Sequence, residues 1–134
     1  MSDQIAELAF FDSTYEEALG LCCELRDLIA AEGGQDRPVP EAYQAHLHGS
    51  CERLRMTARL TQVVAWLLVQ KAVHRGELSR EEARARDRRL GGQKVCEPGR
   101  ELELAELPPA LSVLQRRTAD LYARVARLDA MMNG

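Results

Sequence analysis

Cysteines and histidines are the side chains of this sequence that could bind a metal ion. Five of them could lie near one another in the folded chain, namely Cys22, Cys23, His46, His48 and Cys51. Structural zinc sites usually come from paired Cys-x-x-Cys or His-x-x-x-His spacing, and neither spacing occurs here. We therefore interpret the cysteines as small core residues and the histidines as surface residues, and we predict no metal and no cofactor.

Groups for nucleophilic or acid–base catalysis are equally sparse. The chain has three histidines, no Gly-x-Ser-x-Gly motif and no phosphate-binding glycine loop. A di-iron site needs Glu-x-x-His pairs, but Tyr43, Ala45 and Lys71 stand three residues before the histidines. Acids such as Glu24 and Glu52 are interpreted as solvated helix faces. We predict no catalytic residues and a protein that is not an enzyme.

Positive charge is concentrated between residues 71 and 94, where eight Lys or Arg residues stand against four acids. Residues 1–36 carry nine acids and one Arg, and the net charge is −3. Four basic residues form the candidate partner-binding surface: Arg80, Arg84, Arg88 and Lys94. Neighbouring acids can neutralise this stripe, and no aromatic residue stands among the arginines to stack on a base. A protein partner is favoured, and nucleic-acid binding by the basic segment 80–94 is the alternative.

Composition and boundary residues predict the elements that carry these side chains. Ala, Leu and Val dominate the apolar residues, as in helical bundles. Capping boxes, glycines and prolines predict helices over about 14–32, 41–75, 79–90 and 109–132, with a loop over 91–107. The buried face of the first helix would comprise Tyr15, Ala18, Leu19, Cys22, Leu25 and Ile29. We predict one all-α domain over 1–134, an antiparallel three-helix bundle with a long central helix and a short extra helix.

The sequence also favours a cytoplasmic location. MSDQIAELAF carries acids where a signal peptide has basic residues. The longest uncharged apolar run, residues 63–69, is far shorter than the roughly 20 residues that span a membrane. The cysteines lack a paired spacing, which is typical of reduced thiols. We expect no membrane span.

The long central helix has two apolar stripes on nearly opposite faces at 100° per residue. The first comprises Leu47, Cys51, Leu54, Ala58, Thr61, Ala65, Leu68 and Ala72. The second comprises Met56, Leu60, Val63 and Leu67. A surface helix of a small monomer needs only one stripe, so we predict that the second forms a homodimer interface. Coverage by loop 91–107 or by the N-terminal segment IAELAFF is the alternative. Trp66, beside this stripe, is interpreted as a core anchor.

Residues within and between the stripes carry a family resemblance. The segment RMTARLTQVVAWLLVQKAVHRGELS, residues 55–79, resembles the central helix of the alphaproteobacterial regulator of CtrA degradation family, long catalogued as a domain of unknown function. The matching residues are Arg55, Thr57, Arg59, Leu60, Gln62, Trp66, Leu67, Leu68, Gln70, Ala72, Val73, Gly76 and Glu77. LYARVARLD, residues 121–129, is similar to the last helix of that family.

The resemblance implies a function without an active site. Proteins of this family are homodimeric three-helix bundles that act in cell-cycle-regulated proteolysis. They bind a substrate or another adaptor and help to deliver it to the ClpXP protease. Family members can carry an extended C-terminal tail, whereas this sequence ends at Gly134, directly after the last predicted helix. The resemblance therefore leads us to expect a homodimeric adaptor whose partners are a protease, substrates or other adaptors.

Overall fold

A computed structural model describes residues 2–32, 43–96 and 107–133, and all regular structure in these ranges is helical. The helices are α1 Ser2–Glu32, α2 Tyr43–His74, α3 Arg80–Ala83, α4 Gln93–Cys96 and α5 Pro109–Asn133. A 3-10 turn, Arg86–Arg88, lies between α3 and α4. The three long helices pack on one another around one apolar core, which confirms the predicted all-helical bundle.

The directions of the long helices follow from two side-chain pairs. His74 at the end of α2 lies beside Glu7 near the start of α1, and Arg117 near the start of α5 pairs with Glu24 in the second half of α1. Helix α1 is therefore antiparallel to both α2 and α5. These two run parallel to each other, so the predicted antiparallel arrangement holds for the two pairs that include α1. The chain between α2 and α5 consequently has to travel back along the bundle.

Buried apolar side chains from all three long helices form the core. From α5 these are Leu111, Leu114, Leu121 and Val125, at the alternating three- and four-residue spacing of a helix with one buried face. From α1 they are Phe11, Ala18, Leu21 and Leu25, and from α2 they are Met56, Leu60, Val63, Trp66 and Leu67. Burying a Leu or Phe side chain contributes about 1.5–3 kcal/mol, so this shared cluster is what holds the helices together.

Helix α1 begins twelve residues before the predicted start at Thr14, because neither Gly nor Pro interrupts the preceding residues. Phe11 is buried against Trp66, with ring centroids 5.8 Å apart, and this contact anchors the first turns. Ser13 therefore lies inside the helix and does not cap it. The buried face is also rotated from the predicted one, since Leu19 and Ile29 are exposed.

Helix α2 ends where the sequence predicts. Gly76 has a φ of +78°, and the Glu77 N–H donates to the carbonyl oxygen of Ala72 at 2.9 Å, so the positive φ closes the last turn. The observed bounds of α2 and of α5 lie within two residues of the predicted ones. Glycine and proline were therefore reliable boundary signals for these two helices.

The predicted helix over 79–90 is wrong beyond its first turn. The capping box is present, because the Glu82 N–H donates to Ser79 Oγ and the Ser79 N–H donates to the Glu82 carboxylate. The helix nevertheless ends at Ala83, and Ala85 is extended with ψ 142°. Leu90 then turns into the core. The predicted loop 91–107 contains α4, and its residues 97–106 lie outside the described residues.

Candidate interaction surfaces

The residues predicted to form the dimer interface lie in the core of the single chain. Met56, Leu60, Val63 and Leu67 are between 0 and 3% exposed. They pack with Phe11, Leu21 and the buried leucines of α5. Side chains this buried offer a second chain almost no surface, which argues against the prediction that this stripe forms the dimer interface, although Leu60 reaches the floor of the α1–α2 groove. The N-terminal segment named as the alternative supplies part of the cover, through Phe11.

A row of polar side chains on α2 binds part of the connection between α2 and α5, which runs back along the bundle. This return segment comprises residues 75–96. Arg55 Nε donates to the Val95 carbonyl oxygen at 2.8 Å, and Arg59 Nε donates to that of Cys96 at 2.6 Å. Gln62 Oε1 accepts the Gly91 N–H at 3.0 Å. These three side chains belong to the family resemblance, and in the structure they hold the return segment against α2.

Glycine is required where the polar row meets the return segment. Gly92 has a φ of +74°, which L side chains rarely adopt, and a Cβ at this position would lie 3.2 Å from Cys96 Sγ. The neighbouring Gly91 carbonyl oxygen accepts a 2.8 Å hydrogen bond from the Tyr122 hydroxyl. The return segment is therefore bound from α2 on one side and from α5 on the other.

Arg59 also forms a buried ion pair. Its guanidinium lies 3.3 Å from the Glu52 carboxylate, and both side chains are fully buried. The same Nη1 donates to Thr118 Oγ1 at 3.2 Å, while Nη2 has no hydrogen-bond partner among the described residues. Burial lowers the pKa of the Arg59 guanidinium, and the Glu52 carboxylate opposes that shift. Glu52 is thus a core residue, and its interpretation as a solvated acid is wrong.

Asp129 on α5 is a second buried polar centre. Trp66 Nε1 donates to Asp129 Oδ1 at 2.9 Å, and Arg89 Nη2 donates to Oδ2 at 3.2 Å. The indole N–H therefore has the partner that a buried Trp needs, and Trp66 is a core anchor as predicted. Because Arg89 belongs to the return segment, Asp129 fastens that segment to α5.

The four predicted partner-binding residues do not form one continuous stripe. Arg80 Nη2 lies 3.9 Å from a Glu7 carboxylate oxygen, and Arg84 lines the same cavity as Arg80. Arg88 donates to the Glu82 carbonyl oxygen at 3.0 Å. Lys94 is exposed on α4. Two of the four, Arg80 and Arg84, are therefore brought together.

The cavity beside Arg80 and Arg84 has a volume of about 250 Å³ and lies at the end of the bundle where α2 and α5 both finish. Gln70, which is 5% exposed, and Asn133 line its wall. Apolar side chains complete the lining: Val73, Ala83 and Met132. We call this the end cavity. It combines cations, amides and a small apolar surface.

A larger apolar groove lies between α1 and α2. Its volume is about 660 Å³, and apolar and small side chains dominate its lining. Leu19, Ile29 and Leu68 are partly exposed along it, and Thr61 and Ala65 form part of the α2 side. The α2 side of the groove includes Thr61, Ala65 and Leu68 of the first apolar stripe. The amphipathic pattern was visible in the sequence, but which stripe faces the core was not.

Metal, thiol and membrane chemistry can be assessed within the described ranges. No group of three His, Cys, Asp or Glu residues in residues 2–32, 43–96 and 107–133 could hold a metal ion. Cys96 is buried, and burial raises the pKa of its thiol. Cys23 and Cys51 are exposed, so the interpretation of the cysteines as core residues is wrong for these two. In the same ranges, no helix is both long and apolar enough to cross a membrane.

The fold and these surfaces define an all-helical bundle whose polar residues fasten one long return segment and whose open surfaces suit protein contacts. The chain belongs to the family described as "Protein of unknown function (DUF1465)", whose family model matches residues 2–134. It is similar to the crystal structure of RcdA from Caulobacter crescentus CB15, with 33% identity, a TM-score of 0.66, and coverage of 91% of this chain and 89% of that chain. The predicted resemblance to the regulator of CtrA degradation family is thereby confirmed. A search of the curated proteins finds no match.

Proposed function

We propose that this protein is a non-enzymatic adaptor of regulated proteolysis in the cytoplasm. It binds protein substrates or other adaptors and delivers them to the ClpXP protease during the cell cycle. The observation that carries the proposal is the 33% identity to RcdA, a regulator of CtrA degradation, over 91% of the chain.

The adaptor acts as a homodimer that forms through the α1–α2 groove. Support comes from the exposed apolar side chains along both of its walls, with Leu19 and Ile29 on α1 and Leu68 on α2. Contiguous apolar surface of this kind typically marks a contact with another protein. With a two-fold axis along the groove, α1 and α2 of one copy would pack on α1 and α2 of the other, so that the interface contains four helices. This interface replaces the one predicted from Met56, Leu60, Val63 and Leu67.

The basic residues of the return segment bind the protein partner. Arg80 and Arg84 line the end cavity, whereas Arg88 and Lys94 lie elsewhere on the return segment. Arginine suits carboxylate-bearing partners because its planar guanidinium donates two parallel hydrogen bonds. The dimer groove and the partner surface are separate, so one copy can use both.

Reconstituted degradation tests the proposal. Purified ClpXP is incubated with CtrA or another cell-cycle regulator, with and without this protein and the known partner adaptors of the relative's pathway. We expect this protein to accelerate substrate turnover, and the double variant Arg80→Gln/Arg84→Gln to reduce the acceleration. Arg116→Gln, an exposed arginine on α5, is the matched control. An unchanged turnover rate for every substrate and adaptor combination would refute the adaptor role.

A further inference from the structure

We propose that the end cavity binds the carboxyl terminus of a partner polypeptide whose last residue has a small apolar side chain. This inference rests on the proposed adaptor function, because it names the chemistry that the partner surface recognises. Three properties of the cavity carry it, and each demands a different part of such a ligand.

The first property is a position for a carboxylate. The Glu7 carboxylate lies 3.7 Å from His74 Nε2 and 3.9 Å from Arg80 Nη2, so both separations exceed hydrogen-bond distance. Arg84 lines the cavity as well. Arg80 therefore faces a carboxylate of the same chain that does not engage its guanidinium group fully. A ligand carboxylate that approaches to about 2.8 Å would form the stronger charge-assisted hydrogen bonds.

The second property is a demand for an N–H donor. Asn133 Nδ2 donates to the Asp129 carbonyl oxygen at 2.8 Å and lies 3.2 Å from Asp129 Oδ1, which fixes the orientation of the amide. Asn133 Oδ1 is consequently left buried without a hydrogen-bond partner among the described residues. A buried acceptor without a donor costs about 1–3 kcal/mol. The backbone N–H of a bound peptide would supply that donor.

The third property is size and polarity. A cavity of about 250 Å³ is small beside most ligand pockets, which measure about 300–1,000 Å³. Val73, Ala83 and Met132 offer apolar contacts beside the buried amide of Gln70. A carboxylate, an N–H one residue away and a small apolar side chain occur together at the end of a polypeptide. Free amino acids share the carboxylate and the side chain, and the experiment separates the two sources.

Fluorescence anisotropy of labelled peptides tests the proposal on the full chain. The probes are three hexapeptides, Gly-Ser-Gly-Ser-Ala followed by Ala, Val or Leu, each with a free carboxyl terminus. The same peptides with a terminal carboxamide are the control ligands, and free Ala, Val and Leu are competitors. We expect at least one free-acid peptide to bind with a dissociation constant below about 1 mM, and its carboxamide to bind at least tenfold more weakly.

Variants locate the binding site. Arg84→Gln should weaken the free-acid peptide at least about tenfold, and should not affect the carboxamide, because only the acid uses the guanidinium charge. Glu7→Gln should strengthen the free acid several-fold, since it removes the competing carboxylate. Arg86→Gln is the matched control, because Arg86 lines a different depression with Arg89 and Gly91. Circular dichroism of each variant establishes that it is folded.

Each outcome decides the proposal. Equal affinity for the acid and amide peptides, or no binding of any peptide at about 1 mM, would overturn it. Competition by free amino acids as strong as that by the peptide would also overturn it, in favour of a metabolite site. If peptides bind but substrate turnover by ClpXP is unaffected, the cavity assignment stands and the adaptor function fails. If turnover is accelerated but no peptide binds, the cavity assignment alone fails.

Discussion

Arg59 donates a 2.6 Å hydrogen bond to the carbonyl oxygen of Cys96, and this contact joins residues 37 positions apart in the sequence. The same guanidinium contacts Glu52 on its own helix and Thr118 on α5. One side chain therefore connects α2, α5 and the end of the return segment. Arg59, one of the residues that carry the family resemblance, therefore acts on the fold.

Breaking the Arg59 cluster should destabilise the protein. Arg59→Met removes the fully buried one of the two arginines that pair with Glu52, leaving Arg55 at 3.1 Å, and leaves the Cys96 carbonyl without its donor. Removing one member of a buried pair costs about 3–5 kcal/mol. Urea unfolding followed by circular dichroism measures the loss. The double variant Glu52→Leu/Arg59→Met should recover at least half of it, because it also removes the buried carboxylate that has lost its closest buried cation. A double variant no more stable than Arg59→Met would contradict this account.

The second apolar stripe of α2 should govern stability. Leu67→Ala creates a cavity in the core and should lower the free energy of unfolding by about 2–5 kcal/mol. Leu54→Ala, on the other stripe at 71% exposure, is the matched control and should change it by less than about 0.5 kcal/mol. Chemical denaturation of the two variants provides the comparison. Similar losses of stability in the two variants would show that the second stripe alone does not face the core.

The first apolar stripe should govern assembly. Leu68→Glu introduces a charge into the proposed interface and should convert the dimer to a folded monomer, because burying an unpaired charge is strongly unfavourable. Light scattering after size-exclusion chromatography measures the mass. Val113→Glu is the matched control, since Val113 on α5 is 50% exposed, close to the 45% of Leu68. A monomeric wild-type protein at about 100 μM, or a dimeric Leu68→Glu variant, would exclude this interface.

The capping box at Ser79 should shift the titration of Glu82. Hydrogen bonds from the Ser79 backbone N–H and side chain hold the pKa of the Glu82 carboxyl below its ordinary value. A folded-state pKa below the unfolded one means that the contribution to stability is present above the unfolded pKa, about 4.3, and is lost as the pH falls through the folded pKa. Side-chain carbon NMR should show a lower midpoint for Glu82 in the wild type than in Ser79→Ala. Identical midpoints would remove the effect of the cap.

Thiol reactivity should report on attachment of the return segment. Cys23 and Cys51 are exposed and should react quickly with a disulfide reagent, whereas Cys96 is buried and its thiol pKa is raised by desolvation. Arg55→Ala removes the hydrogen bond to Val95 and should accelerate labelling of Cys96 without changing that of Cys23. Mass spectrometry of peptides at successive times measures both rates. An unchanged Cys96 rate would mean that Arg55 does not hold the segment.

Much of the fold follows from short-range signals in the sequence, and much of the interaction surface does not. The end of α2 at Gly76 and the buried face of α5 depend on local backbone preferences and periodicity, which a single sequence displays. The roles of the two α2 stripes depend on which neighbour covers each stripe. Phe11 and α5 cover the second stripe, and both are distant from α2 in the sequence. The sequence identified Arg59 as a residue of the family resemblance. It did not predict that Arg59 is buried, because its partners Glu52, Cys96 and Thr118 come together only in the folded chain.

The parallel course of α2 and α5 has a consequence for the order in which the molecule folds. Helices α1 and α2 are neighbours in the sequence and can pair as a hairpin, whereas α5 reaches α2 through contacts such as Trp66–Asp129, which are separated by 63 positions. Closing the longer loop costs more chain entropy. We therefore expect α5 to dock last, with φ-values near zero for Leu121 and higher ones for Leu21. The return segment is hydrogen-bonded to both α2 and α5, so we expect it to become ordered when α5 docks.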